Sequence, residues 1–225
     1  MIAVLLPVKR FADSKRRLAS WLTPEERELL ARTMFEDVWE TLLSWHGREK
    51  LIGKLIVITA EPVVIARCRE ASVTCLEEDE QVSHTESTRQ ATRWAVEQGV
   101  RTLISVPIDT PAVSPDELTQ LVELSRQYEV IVVPSGDGTG TNALVRTPPD
   151  AITAHFGPDS CRRHLEDTQT NHQKLRLYAP PGLTADIDTR EEAMQFLEVV
   201  GKLEREGRTS KLLRRLIETR SRVTG

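Results

Sequence analysis

Apolar runs of strand length recur along this chain, separated by segments with helical period, and that alternation limits the fold more than any other feature. Met1–Val8 is almost continuously apolar, the pattern of a strand covered on both faces rather than one half-exposed to water. Further strands are expected at Lys54–Thr59, Val73–Leu76, Thr102–Val106, Glu129–Val133 and Lys174–Tyr178, with another short run at Asn142–Arg146. Between them lie helix signals. Thr23-Pro24-Glu25-Glu26 supplies an N-cap, a proline at the first helical position and acids in the first turn. The helix after it should reach about Ser44, with Leu29, Leu30, Met34, Val38 and Leu42 on one stripe. Helices are also expected at Glu61–Glu70, at Glu86–Gln98 closed by Gly99, after Ser114-Pro115, at Pro158–Thr170 and at Arg190–Leu197. Strands and helices in this order make right-handed βαβ units, hence an α/β, mainly parallel, doubly wound sheet in one domain over residues 1–200. Residues 201–225 hold eight Lys/Arg against three acids. They predict a basic C-terminal helix packed on the domain or on a second copy in a homodimer.

Composition narrows the function classes. No apolar stretch approaches the ~20 residues of a membrane span. The start, MIAVLLPVKR, has no basic segment before its apolar run and no small-residue cleavage site, so no secretory leader is expected. Three scattered cysteines without a CxxC give neither a disulfide framework nor a zinc site. A net charge of -4 and only 4% aromatic residues argue against a nucleic-acid partner. The expectation is a cytoplasmic globular protein.

In open α/β sheets ligands bind beyond the C-terminal ends of the strands. After the first strand, Lys9, Arg10, Lys15, Arg16 and Arg17 fall within nine residues, a density suited to a polyphosphate. A solvated basic loop is the bland alternative. After the fourth strand, Asp109 lies between Pro107 and Pro111, an acid in a rigid turn that suits magnesium, though an Asx turn would look the same. Asp186 and Asp188 follow the last strand and, if extended, project the same way, so either could share an ion with Asp109. Three glycines in Ser135–Thr141 let backbone approach an anion. This string matches neither the dinucleotide fingerprint nor a P-loop. Phe156-Gly157-Pro158-Asp159-Ser160 opens a helix that could hold a carboxylate or phosphate, or is simply capped. No nucleophile constellation is present, and the five histidines lack metal-ligand spacing. Metal-assisted phosphoryl or nucleotidyl transfer needs neither.

The motifs PVKRFADSKRRLA, LTPEER, PIDTPAVSPDEL, GDGTGTNAL, FGPDSCRRHL and DIDTREEA, spread over residues 3–199, resemble one family. It comprises the guanylyltransferases that make the phospholactyl- or enolpyruvyl-GDP intermediate of deazaflavin coenzyme F420 biosynthesis. The resemblance implies a Rossmann-like nucleotidyltransferase fold and magnesium-dependent transfer of GMP from GTP to phosphoenolpyruvate or 2-phospho-L-lactate, with release of pyrophosphate. It implies GTP phosphates at Lys9, Lys15 and Arg17, with Lys15, Arg17 and Asp109 catalytic. Magnesium would lie at Asp109 and Asp188 with Asp186, and the phosphorylated three-carbon acid at Thr139 or Thr141, Gly157 and Ser160. One stretch departs. Ser83–Gln90 is similar instead to the Ser-containing helix start of isoprenoid-pathway cytidylyltransferases, a segment that faces the nucleotide and puts Ser87 there. Competing readings are a cytidylyl- or molybdopterin-guanylyl-type transferase, or a non-catalytic nucleotide-binding module. Two acidic loops aimed at one ion argue against the last.

Overall fold

A computed structural model of the chain describes residues 1–48, 52–80 and 82–223; the last two residues of the expected C-terminal helix lie outside the described residues. Strand β1 (Ile2–Val8) sits inside a seven-stranded sheet, paired in parallel with β2 (Ile52–Thr59) on one side and β4 (Thr102–Ser105) on the other. With β3 (Thr74–Glu77), β5 (Val130–Pro134), β6 (Thr141–Arg146) and β7 (Leu175–Leu177), the order is β3-β2-β1-β4-β6-β5-β7. Only β6 runs antiparallel, against both β4 and β5. The sheet is therefore mainly parallel, as expected, with one inserted hairpin strand.

The continuous apolar pattern of β1 follows from two-sided cover. Val4, Leu6 and Val8 pack with Phe35 and Trp39 of helix α1 (Pro24–His46) and with Leu118 and Leu121 of α4 (Pro115–Leu124). Ala3 and Leu5 face Ala91 and Ala95 of α3 (His84–Glu97) on the other side. Helix α2 (Pro62–Glu70) joins β2 to β3. Capping boxes at Thr23–Glu26 and Ser114–Glu117 start α1 and α4 where the sequence places them. Along α1 the buried stripe contains Leu30, Met34, Val38 and Leu42, but Leu29 is 49% exposed, because neighbouring residues on a helix point about 100° apart.

Three further elements depart from expectation. Helix α3 starts two residues early, since Ser83 accepts the Glu86 N–H at 3.1 Å. Helix α5 (Ser160–Thr170) starts two residues late, since Gly157 (φ +99) and Asp159 (φ 55) hold left-handed conformations that no helix continues. A one-turn helix α6 (Pro181–Thr184), too short to show a helical period, precedes α7 (Arg190–Lys202).

The basic tail forms α8 (Arg208–Val223) and lies on α1. Leu213 is fully buried between α1 and α7, beside Met34, Phe196 and Val200, a burial worth about 1.5–3 kcal/mol. The Arg208 guanidinium donates to both Glu40 oxygens at 2.6 Å, Asp37 accepts the Thr209 N–H at 2.8 Å, and Arg220 pairs with Glu26. Its cations thus answer acids of α1. Among the described residues no helix is long and apolar enough to cross a membrane.

Candidate functional site

The basic loop after β1 folds as two short 3-10 turns, Phe11–Asp13 and Arg16–Leu18, with Lys15 between them at φ 55. That left-handed backbone costs about 1–2 kcal/mol for a residue with a side chain and turns Lys15 inward while its neighbours stay outside. Its ammonium donates to Asp109 Oδ1 (2.6 Å), the Ile187 carbonyl (2.7 Å) and Asp188 Oδ1 (3.0 Å). All three hydrogens are used. Burial opposes the charge on Lys15, but Asp109 and Asp188 outweigh it and hold its pKa above the ordinary value. The Lys15 charge in turn pulls the Asp188 carboxyl below its usual range, against its own desolvation. Desolvation pushes Asp109 upward despite Lys15, with Asp188 adding repulsion.

The other cations of the loop divide. Arg16 donates to Asp13 at 2.8 Å. Arg17 is exposed, with Nη1 3.8 Å from Asp188 Oδ2, and Lys9 is exposed beside it on the cavity wall. Of the five basic residues, Lys15 is the buried one, and it bridges the two acidic loops.

Asp109 is held by its neighbours: Val106, Pro107, Ile108, Thr110 and Pro111 are all buried. The 186–188 loop is set by α6, whose Gly182 N–H donates to Glu117 Oε1 at 2.8 Å. A Cβ on Gly182 would stand 2.4 Å from the Ala112 carbonyl oxygen and the Glu117 carboxylate, so the approach requires glycine. Asp186 and Asp188 have different partners. Asp186 Oδ1 accepts from Asn142 Nδ2 (3.0 Å) and the Gly136 N–H (3.1 Å), tying the β5–β6 hairpin to this loop.

Two cavities meet at these acids. One of about 270 Å³ is lined by Lys15 and Ser87; the other, of about 620 Å³, by Thr139, Thr141, Gly157, Ser160 and Asp186; Lys9, Arg17, Asp109 and Asp188 belong to both. In the first, Ser87 is buried and donates to Glu78 Oε1 at 2.7 Å. In the second, Thr139 is occupied within its own turn, its hydroxyl donating to the Asp137 carboxylate at 2.9 Å. Ser135, then Thr139, hold the Asp137 carboxyl down at about 2. Thr141 faces His164 Nδ1 at 2.9 Å. Ser160 Oγ is buried with no hydrogen-bond partner among the described residues, a cost of about 1–3 kcal/mol for a polar group left unanswered.

The sequence reading named Phe156 and His84 only as parts of their segments and gave neither a role, yet their rings stack at 4.1 Å on the wall of the larger cavity. It also missed Glu78, and Asn142 as the partner of Asp186. Nothing in their spacing marks them: 71 residues separate Thr85 from Phe156, whose N–H it accepts at 3.0 Å.

Residues 2–218 match the family described as Guanylyl transferase CofC like. The chain is 28% identical over 198 residues to the phosphoenolpyruvate guanylyltransferase of Conexibacter woesei, covering 87% of each chain. It is 27% identical over 207 residues to the 2-phospho-L-lactate guanylyltransferase of Methanobrevibacter ruminantium, covering 87% of this chain and 85% of that one. A crystal structure from Desulfovibrio desulfuricans, described as a candidate nucleotide-diphospho-sugar transferase, superposes with a TM-score of 0.77 at 15% identity over 97% of each chain, which shows the shared fold. With the family match spanning all seven strands and both acidic loops, the chain belongs to the CofC-like guanylyltransferase family and is a nucleotidyltransferase.

Proposed function

We propose that this enzyme transfers GMP from GTP to phosphoenolpyruvate or 2-phospho-L-lactate, releasing pyrophosphate, as a step toward coenzyme F420. The observation that carries this reading is the meeting of two cavities across Asp109 and Asp188. Such an arrangement lets a triphosphate and a phosphorylated acid approach from opposite sides of one charged edge. The relatives' names supply guanine and the two acids.

In the step itself, a phosphate oxygen of the acid forms a bond to the α-phosphorus of GTP. The bond from that phosphorus to the bridging oxygen breaks, and pyrophosphate departs with the electron pair. No protein nucleophile is required, so catalysis comes from positioning and from charge placed where charge develops. We assign Lys9 and Arg17, the exposed cations at the junction, to the triphosphate. Lys15 fixes the two acidic loops relative to each other, and its charge stands beside the transferring group. Ser160, Gly157 and Thr141 hold the acid, Ser160 with an otherwise unanswered hydroxyl. Ser87 borders the nucleotide side.

Asp109 and Asp188 each keep one oxygen outside the Lys15 hydrogen bonds. Two carboxylates completed by substrate phosphates are what magnesium prefers. Among the described residues no three His, Cys, Asp or Glu gather into a ligand set, so the remaining ligands would have to come from substrate and water. These two residues would hold magnesium, which when bound offsets charge on the phosphates. Asp186 is engaged by Asn142 and Gly136, and we assign it to holding the loop.

A pyrophosphate-release panel tests the reading: four nucleoside triphosphates against phosphoenolpyruvate, 2-phospho-L-lactate and 3-phosphoglycerate, with magnesium present. Release with GTP and either of the first two acids is expected. Release with CTP in place of GTP, or only with 3-phosphoglycerate, would overturn it.

A further inference from the structure

His164 is fully buried, on the same face of α5 as Ser160 one turn earlier. Its ring makes two hydrogen bonds: Nε2 accepts the His155 backbone N–H at 2.9 Å, and Nδ1 meets Thr141 Oγ1 at 2.9 Å. A backbone N–H can only donate, so Nε2 carries the lone pair and the ring proton sits on Nδ1. Nδ1–H therefore donates to Thr141 Oγ1. A hydroxyl has one hydrogen and two lone pairs. With a lone pair taken by His164, its hydrogen points elsewhere, and no acceptor for it is found among the described residues. Thr141 lines the larger cavity beside Ser160, whose hydroxyl also has no partner. The wall thus presents the Thr141 hydroxyl as a donor, with the buried Ser160 hydroxyl still unanswered, and suits an anion.

We propose that His164 is a positioning residue that orients the Thr141 hydroxyl as an obligate donor toward the carboxylate or phosphate of the acceptor acid. This rests on the acceptor site assigned above and adds what sets its polarity. The same imidazole ties two walls together, because the N–H it receives belongs to the 155–159 loop that carries Phe156 and Gly157. Burial pushes its pKa down to about 3, with His155, Arg146 and Arg163 adding repulsion, so the ring stays neutral and the tautomer constant through the neutral range.

The test is a double-mutant cycle with Thr141→Val and His164→Leu, reading KM for phosphoenolpyruvate and for 2-phospho-L-lactate, and Kd for GTP. Each single variant is expected to raise KM for the acid about tenfold, the low end for a hydrogen bond to a charged group, and to leave GTP binding within twofold. In the Thr141→Val background, His164→Leu should change KM less than twofold, since its route to the acid is already cut. Equal losses in both backgrounds mean that His164 serves structure alone and overturn the proposal, while the acceptor site stands. A Thr141→Val enzyme with parental KM overturns both. Should His164→Leu fail to fold, the long-range ¹H–¹⁵N spectrum of the parent's imidazoles decides without a variant. The Nδ1-protonated tautomer is expected at His164, and the Nε2-protonated form refutes the proposal.

Discussion

Replacing Lys15 with Met removes one charge and three hydrogen bonds while keeping the side-chain stem and the left-handed backbone position. Removing one partner of a buried ion pair costs about 3–5 kcal/mol. Here the side chains of Asp109 and Asp188 are each 37% exposed, so water answers part of the loss and the expected cost falls to about 1–3 kcal/mol. For a domain of this size each kcal/mol moves Tm by about 2–4 °C, which places the variant about 2–12 °C below the parent at pH 7.5. The pH dependence has a definite direction. The raised pKa of Lys15 makes its contribution complete below 10.5, the ordinary value, and lost only as pH climbs through the raised one. The depressed pKa of Asp188 makes its contribution present above 3.8 and lost as pH falls through the depressed one. In the variant both carboxylates protonate more readily, so the gap in Tm should narrow as pH is lowered toward 3. Melts by circular dichroism with chelator present, from pH 7.5 to 3.5, measure it. A gap of zero at pH 7.5, or one that does not change with pH, would refute the electrostatic clamp.

Asp109→Asn keeps an acceptor for Lys15 and should melt near the parent, yet lose at least about a hundredfold in turnover, since metal stabilisation of such transfers is worth several kcal/mol; parental pyrophosphate release in saturating magnesium would remove Asp109 from the site. The fully buried His164, held at about 3 against an ordinary 6.5, contributes stability that is complete above pH 6.5 and declines as pH falls toward 3. Between pH 6.5 and 5 its share of the loss should be about 2 kcal/mol, at 1.36 kcal/mol per unit; because His84 is also held at about 3 and titrates in both proteins, urea denaturation at several pH values should show a slope in the parent that is steeper than in His164→Leu by that amount.

The sequence by itself determined which segments become strands and helices, because those signals are local and periodic. Continuous apolar runs mark strands covered on both faces, and Thr23–Glu26 and Ser114–Glu117 satisfy helix N–H groups within four residues. It also determined that Lys9, Lys15, Arg17, Asp109 and Asp188 stand at one edge, since strand direction alone carries the loops there. What only the tertiary structure decided is who meets whom. A strand buried on both faces reads alike in either direction, so β6 and its antiparallel pairing with β4 and β5 could be settled only by the hairpin closing through Ser135–Gly140. Lys15 is separated from its neighbours in role by a single backbone dihedral. Asp186 and Asp188, alike on paper, part company because Asn142 arrives from 44 positions away to claim one of them. Thr141 becomes a donor through a histidine 23 residues along. A hydrogen bond depends on approach within about 3 Å, and spacing along the chain does not encode that distance once the partners lie on different elements.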